Sequence, residues 1–146
     1  GAVRIDITQR IPVLRVMGVD GNFYIDNKGN YMPTSNHFTL YLPVVTGYVD
    51  KAFAQKELFG FACFLQNNKF WNAQIEQINV RADKEIELIP RVGDHLILLG
   101  KLDNFERKLD NLMLMYEKVF PKVGWNRYET INLKYENQVI ATRRGE

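Results

Sequence analysis

The 146-residue chain lacks most of the features that mark a metal site, a disulfide framework or a membrane span. Cys63 is its single cysteine, which excludes an internal disulfide and a cysteine-based metal site. No stretch of the sequence reaches the roughly 18 apolar residues that a membrane-spanning helix needs. The formal net charge is +2 and no run of Lys and Arg exceeds two residues, so the composition does not indicate nucleic-acid binding.

Motifs for catalysis and for cofactors are equally scarce. His37 and His95 are far apart in sequence and neither has a second histidine at metal-ligand spacing, so we expect His95 to be a partly exposed sheet residue. Cys63 lies among apolar residues and is predicted to be a small buried hydrophobe rather than a nucleophile. The glycines at turns stand singly, and none begins a phosphate-binding loop. We therefore predict no catalytic residue, no metal and no cofactor.

Apolar residues make up 46% of the chain and charged residues 25%, which is typical of one globular domain, or of one domain with a fragment of another. Their periodicity predicts an α+β fold, an antiparallel β-sheet with helices packed on one face. One helix is predicted at 51–65 after an Asp50 cap, and the clearest at 103–119 after a capping box of Asp103 and Glu106. A short helix is predicted at 68–72. Strands are predicted at 3–8, 13–17, 23–26, 31–32, 40–45, 78–82, 85–88, 95–99, 128–135 and 138–143. Pro43 predicts that the strand at 40–45 lies at a sheet edge.

The last predicted strand has no later strand to pair with. Residues 138–143 are mostly small or β-branched with few charges, and such an edge offers backbone donors and acceptors to another chain. Arg107, Lys108, Lys134 and the pair at 143–144 add positive charge nearby. An ordinary edge protected by two arginines, beside a solvated basic helix face, is the alternative interpretation. The pattern favours a binding module over an enzyme.

Short motifs along nearly the whole chain resemble those of one known family. They are QRIPVLRV at 9–16, FYIDNKG at 23–29, the Leu-Pro step at 42–43, LLG at 98–100, Lys-Leu at 108–109, and INLKY at 131–135 continuing into Val139. In their order and spacing they resemble the extracytoplasmic portion of the bacterial FtsQ/DivIB cell-division family.

That resemblance implies a single-pass inner-membrane protein with a POTRA domain and a β domain, located in the periplasm at the division septum. Residues 1–18 would be the last two strands of a truncated POTRA-like domain, and residues 19–146 the β domain. The chain begins with Gly1 rather than Met, so we expect the membrane anchor to lie upstream in a longer protein. The implied activity is not enzymatic: the family is a divisome scaffold that recruits the FtsB–FtsL complex, without a nucleic acid or a small-molecule substrate.

The resemblance also implies a binding site. FtsB is bound by strand addition to the last strand, and the basic helix residue that pairs with an FtsB carboxylate falls on Lys108. The family often has an aromatic residue shortly after the final strand, which this chain lacks. The predicted partner-binding residues are Lys108, Lys134, Tyr135, Gln138, Val139, Ile140, Ala141, Thr142 and Arg143.

Two other functions compete with the scaffold. A POTRA-type module of outer-membrane protein assembly would also act by strand addition, and it predicts tandem repeats and a barrel in the full-length protein. A small hydrolase, which is the less favoured alternative, predicts a deep pocket that brings His37 or His95 to a carboxylate.

Overall fold

A computed structural model describes residues 1–4, 10–34, 42–135 and 137–145. Within them, a 9-stranded sheet has the order β3-β2-β1-β4-β5-β6-β7-β8-β9. The strands are β1 (Pro12–Gly18), β2 (Gly21–Asp26), β3 (Tyr31–Pro33), β4 (Val44–Gly47), β5 (Ile75–Val80), β6 (Ile86–Pro90), β7 (Leu96–Gly100), β8 (Tyr128–Tyr135) and β9 (Gln138–Arg143).

Helices cover one face of this sheet. The Phe105 ring lies 5.0 Å from the Phe61 ring and 5.1 Å from the Phe64 ring, so the two longest α-helices lie side by side in one layer. The helices are α1 (Lys51–Phe53), a π-helical segment (Ala54–Leu58), α2 (Phe59–Gln66), α3 (Lys69–Gln74), α4 (Phe105–Lys118) and α5 (Phe120–Val123).

The predicted α+β class is confirmed, although the sheet is only mostly antiparallel. The pairs β1–β4, β4–β5 and β7–β8 are parallel. Helices connect β4 to β5 and β7 to β8. Each helical crossover returns the chain to the end of the sheet at which the preceding strand began, so the two connected strands run parallel. The sequence predicted both helices but not that they would set adjacent strands parallel.

The prediction that Pro43 places its strand at a sheet edge is wrong. β4 lies between β1 and β5. Pro43 precedes the first strand residue, Val44, so the missing proline amide removes no hydrogen bond from the ladder. The Pro43 carbonyl even accepts a hydrogen bond from the Arg15 amide at 3.2 Å. The early part of the predicted strand 40–45 lies outside the described residues.

β1 belongs to the same sheet and the same core as the elements that follow it. It pairs with β2 on one side and β4 on the other, and its Leu14 and Val16 are fully buried. The assignment of residues 1–18 to the last two strands of a POTRA-like domain stays a prediction. Most of the strand predicted at 3–8 lies outside the described residues.

The helix starts agree only in part with the sequence. The Asp50 carboxylate accepts a hydrogen bond from the Phe53 amide at 2.8 Å, so the predicted cap is confirmed. The capping box at Asp103 is wrong: α4 begins after Asn104, whose φ is 54°. Asp103 instead lies 3.5 Å from the ammonium of Lys108 one turn into the helix.

Candidate functional site: the β9 edge

Among the residues that the structure describes, β9 is one of the two edge strands of the sheet, and its bounds are those predicted. Both register shifts between β8 and β9 place the additional residue in β8, so β9 itself runs regularly. It is six residues long and contains no proline. A regular edge of this length presents an uninterrupted row of backbone groups on its outer side.

One hydrogen bond fixes the direction of the amides of this strand. The Arg144 amide donates to the Arg127 carbonyl at 3.1 Å, so it points inward, towards β8. Amides alternate between the two sides of a regular antiparallel strand. The Ile140 amide therefore also points towards β8, whereas the amides of Val139 and Ala141 point to the outer side of the sheet.

The side chains of β9 divide between the two faces of the sheet. Val139 and Ala141 pack on the helix side against the core, and Ile140 lies on the open face, 40% exposed. An apolar groove of about 290 Å³ runs between α4 and β9. It is lined by Asn111, Leu114, Met115, Lys118, Val119 and Val139.

The carboxyl-terminal end of β9 is held by Arg144. Its guanidinium donates to the carbonyls of Asn126 at 3.3 Å, Asp94 at 3.2 Å and Tyr128 at 3.5 Å. These carbonyls come from the loops before β7 and around the start of β8. Arg144, the first residue after the strand, therefore clamps β9 to its neighbours instead of covering its outer edge.

Lys108 lies away from the predicted surface. It is only 2% exposed, and its ammonium donates to the Lys101 carbonyl at 2.8 Å. The Asp103 carboxylate, 3.5 Å away, provides a counter-charge. The structure thus places Lys108 in the interior, where its positive charge fastens the loop before α4. On the same helix Arg107 is exposed, and it donates to the Asn137 side chain in the β8–β9 turn at 3.0 Å.

Lys134 and Tyr135 both lie near the end of β8 but face different surroundings. The Lys134 ammonium is 2.8 Å from the Glu85 carboxylate, so the side chain crosses the open face towards β6 and away from β9. Tyr135 pairs with Gln138 across the turn and is 54% exposed. Of these two residues, Tyr135 is the one that lies beside the β9 edge.

The sequence interpretation did not include the groove residues on α4. Leu114 is 54% exposed, and Met115 is partly buried. Leu114 is an apolar residue outside the buried stripe that contains Leu112 and Tyr116. An apolar side chain on the otherwise polar face of an amphipathic helix was the signal that could have pointed to this surface.

The opposite edge, β3, is built differently. Its Tyr31 carbonyl accepts a hydrogen bond from the guanidinium of Arg10 at 2.7 Å, and the same guanidinium lies 2.8 Å from the Asp26 carboxylate. Asp26 is buried, yet it also accepts from the amides of Lys28 and Asn30. Burial alone would raise the pKa of Asp26, but these hydrogen bonds and the positive charge of Arg10 outweigh it and lower the pKa.

The prediction that His95 is partly exposed is wrong. It is 1% exposed, because α4, α5 and the segment before β8 cover the start of β7 with aromatic rings. Its Nε2 lies 2.7 Å from the Tyr116 hydroxyl. Burial lowers the pKa of His95 to about 4, so the ring is neutral at pH 7. His37 lies outside the described residues.

Cys63 is half-buried in α2, and burial raises the pKa of its thiol, which disfavours the thiolate. Among the described residues, no three His, Cys, Asp or Glu side chains lie close enough together to hold a metal ion. In that same part of the chain, no helix has the length and apolarity required to cross a bilayer.

Comparisons with known proteins agree with the family resemblance of the sequence motifs. Residues 11–142 match the family model described as FtsQ/DivIB, C-terminal related. The match covers β1 through nearly all of β9, and therefore includes the edge strand and the α4 groove. A search of individually curated proteins finds no match.

Proposed function

Because the chain belongs to the FtsQ/DivIB C-terminal related family of non-enzymatic cell-division proteins, we propose that it is a divisome scaffold that binds the FtsB–FtsL complex by strand addition to β9. The observation that carries the proposal is the outer side of β9, a regular six-residue edge without proline. An added strand forms backbone hydrogen bonds there, and these supply affinity with little demand on sequence.

The two faces of β9 specify the partner strand further. Side chains of an added strand alternate between the faces of the extended sheet. On the helix side they meet the groove between α4 and β9, where Leu114, Met115 and Val139 favour an apolar side chain. On the open face the neighbour is Ile140, which favours a second apolar contact. The partner segment should therefore be apolar at adjacent positions rather than alternately polar.

Charge supports an acidic flank on the partner. Arg107 is exposed beside the β8–β9 turn, and Lys118 lines the groove on α4. Exposed pairs of this kind add at most about 1 kcal/mol each, so they select register and orientation more than they supply affinity. The resemblance gave Lys108 the role of pairing with an FtsB carboxylate, but its ammonium is bound to the Lys101 carbonyl and lies beside Asp103. In this proposal Arg107 has that role instead.

The cellular placement is part of the same proposal. The family is anchored in the inner membrane at the division septum, and we propose that this domain lies in the periplasm, with the anchor upstream in the full-length protein. In that arrangement β9 is presented to partners that are themselves held in the membrane. Tethering to one membrane raises the effective concentration of the two chains, so modest affinity at the edge suffices.

The test compares proline with serine at one position. The probe is a labelled peptide from the C-terminal region of FtsB of the same organism, and the readout is Kd by fluorescence anisotropy. Ala141→Pro removes an outward amide and should raise Kd by about 100-fold, or ~2.7 kcal/mol. Ala141→Ser keeps that amide and should stay within about threefold of the unsubstituted chain.

A proline on the other edge is the matched control. Tyr31→Pro alters β3 and should leave the Kd for the peptide unchanged. Each variant is first checked for a cooperative thermal transition. Equal binding by Ala141→Pro and the unsubstituted chain would move the site away from β9, and no binding by any of them would contradict the proposed partner.

A further inference from the structure

His95 stands in an aromatic enclosure directly before β7, and β8 separates that strand from β9. Its ring lies 5.5 Å from the Tyr116 ring, 5.2 Å from Phe120 and 6.3 Å from Trp125. The side chain is 1% exposed, and no described residue forms a hydrogen bond with its Nδ1. A histidine in such a place is well accommodated only while it is neutral, because a buried charge without a partner is costly.

The hydrogen bonds around the ring fix how it is accommodated. Tyr116 accepts a hydrogen bond from the Gln74 amide group at 3.2 Å, and its oxygen lies 2.7 Å from Nε2 of His95. A neutral ring has one N–H, and in either tautomer Nε2 shares a hydrogen bond with the Tyr116 hydroxyl. When both nitrogens are protonated, Nε2 donates to the Tyr116 oxygen, but Nδ1–H has no acceptor among the described residues. Protonation therefore buries a charge together with an unpaired donor.

The same cluster supports the segments that hold β9. Gln74 donates to the Val92 carbonyl at 3.0 Å and accepts from the Val92 amide at 3.3 Å, which positions the loop before β7. In that loop the Asp94 carbonyl accepts from Arg144 at 3.2 Å. On the other side, Trp125 packs on His95, and its neighbour Asn126 accepts from the same arginine at 3.3 Å.

We propose that His95 is an acid-sensitive latch: while neutral it keeps both loops in place and the carboxyl-terminal end of β9 clamped through Arg144, and its protonation releases that end. The device goes beyond the scaffold function, because it concerns the order of the edge strand in the free protein. As the surroundings outside the cytoplasm become more acidic, the end of β9 would be released and the strand would pair less well with an added strand.

The charges near the ring set the pH window. Asp94 raises the pKa of His95, but burial dominates and lowers it to about 4. Burial raises the pKa of Tyr116 to about 12, so that hydroxyl stays neutral throughout. A lowered histidine pKa means that the closed state is fully favoured above the ordinary value of 6.5 and is progressively lost as the pH falls towards 4.

The test is amide hydrogen exchange of the free chain, corrected for the intrinsic rate at each pH. Between about pH 7.5 and about pH 5.5, the opening equilibrium of the Arg144 and Thr142 amides should rise about tenfold in the unsubstituted chain. The Val80 and Ile86 amides, in the β5–β6 pair, should keep their opening equilibrium. Because no partner is present, failure of this test would leave the strand-addition proposal intact.

Two variants separate the latch from general acid sensitivity. His95→Phe fills the enclosure with a ring that cannot be protonated, and His95→Gln keeps a polar group within reach of the Tyr116 hydroxyl. Whichever folds should lose the tenfold response at β9. The latch is wrong if the folded variant responds to pH as the unsubstituted chain does, if the unsubstituted chain shows no response, or if Val80 and Ile86 open to the same degree.

Discussion

In the described part of the chain the sheet has two edge strands, β3 and β9, and they differ in whether their outer backbone groups are already occupied. β3 has three residues, ends in Pro33, and gives its Tyr31 carbonyl to the Arg10 guanidinium. β9 has six residues and no proline. The guanidinium of Arg144 binds carbonyls of the adjoining loops, at Asn126 and Asp94, and not the outer backbone groups of β9. Short length, proline and a bound side chain are the devices that keep an edge from pairing. β3 has all three, which suggests that the openness of β9 is a functional feature.

The largest effect that would sharpen this comparison is expected at the β3 edge. Asp26→Ala removes the acceptor for Arg10 and for the amides of Lys28 and Asn30, and should lower the free energy of unfolding by about 3 kcal/mol. Urea titration measures the loss. Peptide binding at β9 should not change, and a parallel loss of both would show that the two edges are coupled.

The same carboxylate gives the β3 edge its own pH dependence. Its pKa is lowered in the folded state, so its stabilising contribution is full above the ordinary value of 3.8 and is lost as the pH falls below it. Asp26→Asn should therefore flatten the acid limb of stability below that value and leave the range controlled by His95 unaltered. An unchanged acid limb in the variant would contradict this account of Asp26.

The next effect concerns the groove beside β9. Leu114→Asp places a charge where an apolar partner side chain is expected and should raise the Kd for the FtsB peptide about tenfold, which is ~1.4 kcal/mol. Because Leu114 is 54% exposed, the free energy of unfolding should change by less than about 0.5 kcal/mol. Leu114→Asn is the uncharged control. Unaltered affinity in both would remove the groove from the interface.

Lys108 provides a smaller effect that distinguishes an internal from an external role. Lys108→Met keeps the apolar stem but loses the hydrogen bond to the Lys101 carbonyl, so unfolding should become easier by about 1 kcal/mol. The Kd for the peptide should stay within about threefold. A large loss of affinity at unchanged stability would restore Lys108 to the partner-binding residues.

The smallest effect is expected at Lys134. Its ion pair with Glu85 is partly exposed, so Lys134→Met should cost at most about 1 kcal/mol and less at high salt. Thermal unfolding in low and high salt measures this. Affinity for the peptide should be unchanged, because the side chain points away from β9. A lower affinity would place the partner across the open face of the sheet.

Local patterns predicted most of the described strands to within two residues, although the strand predicted at 78–82 is observed at Ile75–Val80. The bounds of β8 and β9 follow from period-2 alternation and from the turn residues between them, which depend only on neighbours in sequence. The Asp50 cap is equally local. What failed depends on distant segments: β4 became central because of the crossover helices, and His95 became buried because α4 and α5 cover it.

Lys108 shows that a lysine predicted to be exposed can lie in the interior of the fold. Helical spacing places it three residues after Phe105 and four before Leu112, on the stripe that packs on the sheet. The spacing is compatible with burial, yet we placed Lys108 on an exposed basic face, in agreement with the contact that the resemblance implied. Which carbonyl would receive the ammonium could not be predicted, because Lys101 lies in a loop whose path depends on the packing of α4.

The most direct measurement of the central claim is hydrogen exchange of backbone amides with and without the FtsB peptide. Strand addition to β9 predicts that the outward amides of Val139 and Ala141 exchange at least about tenfold more slowly in the complex. The Tyr31 amide on the β3 edge should keep its rate. Binding of the peptide with no slowing at Val139 and Ala141 would contradict strand addition at β9.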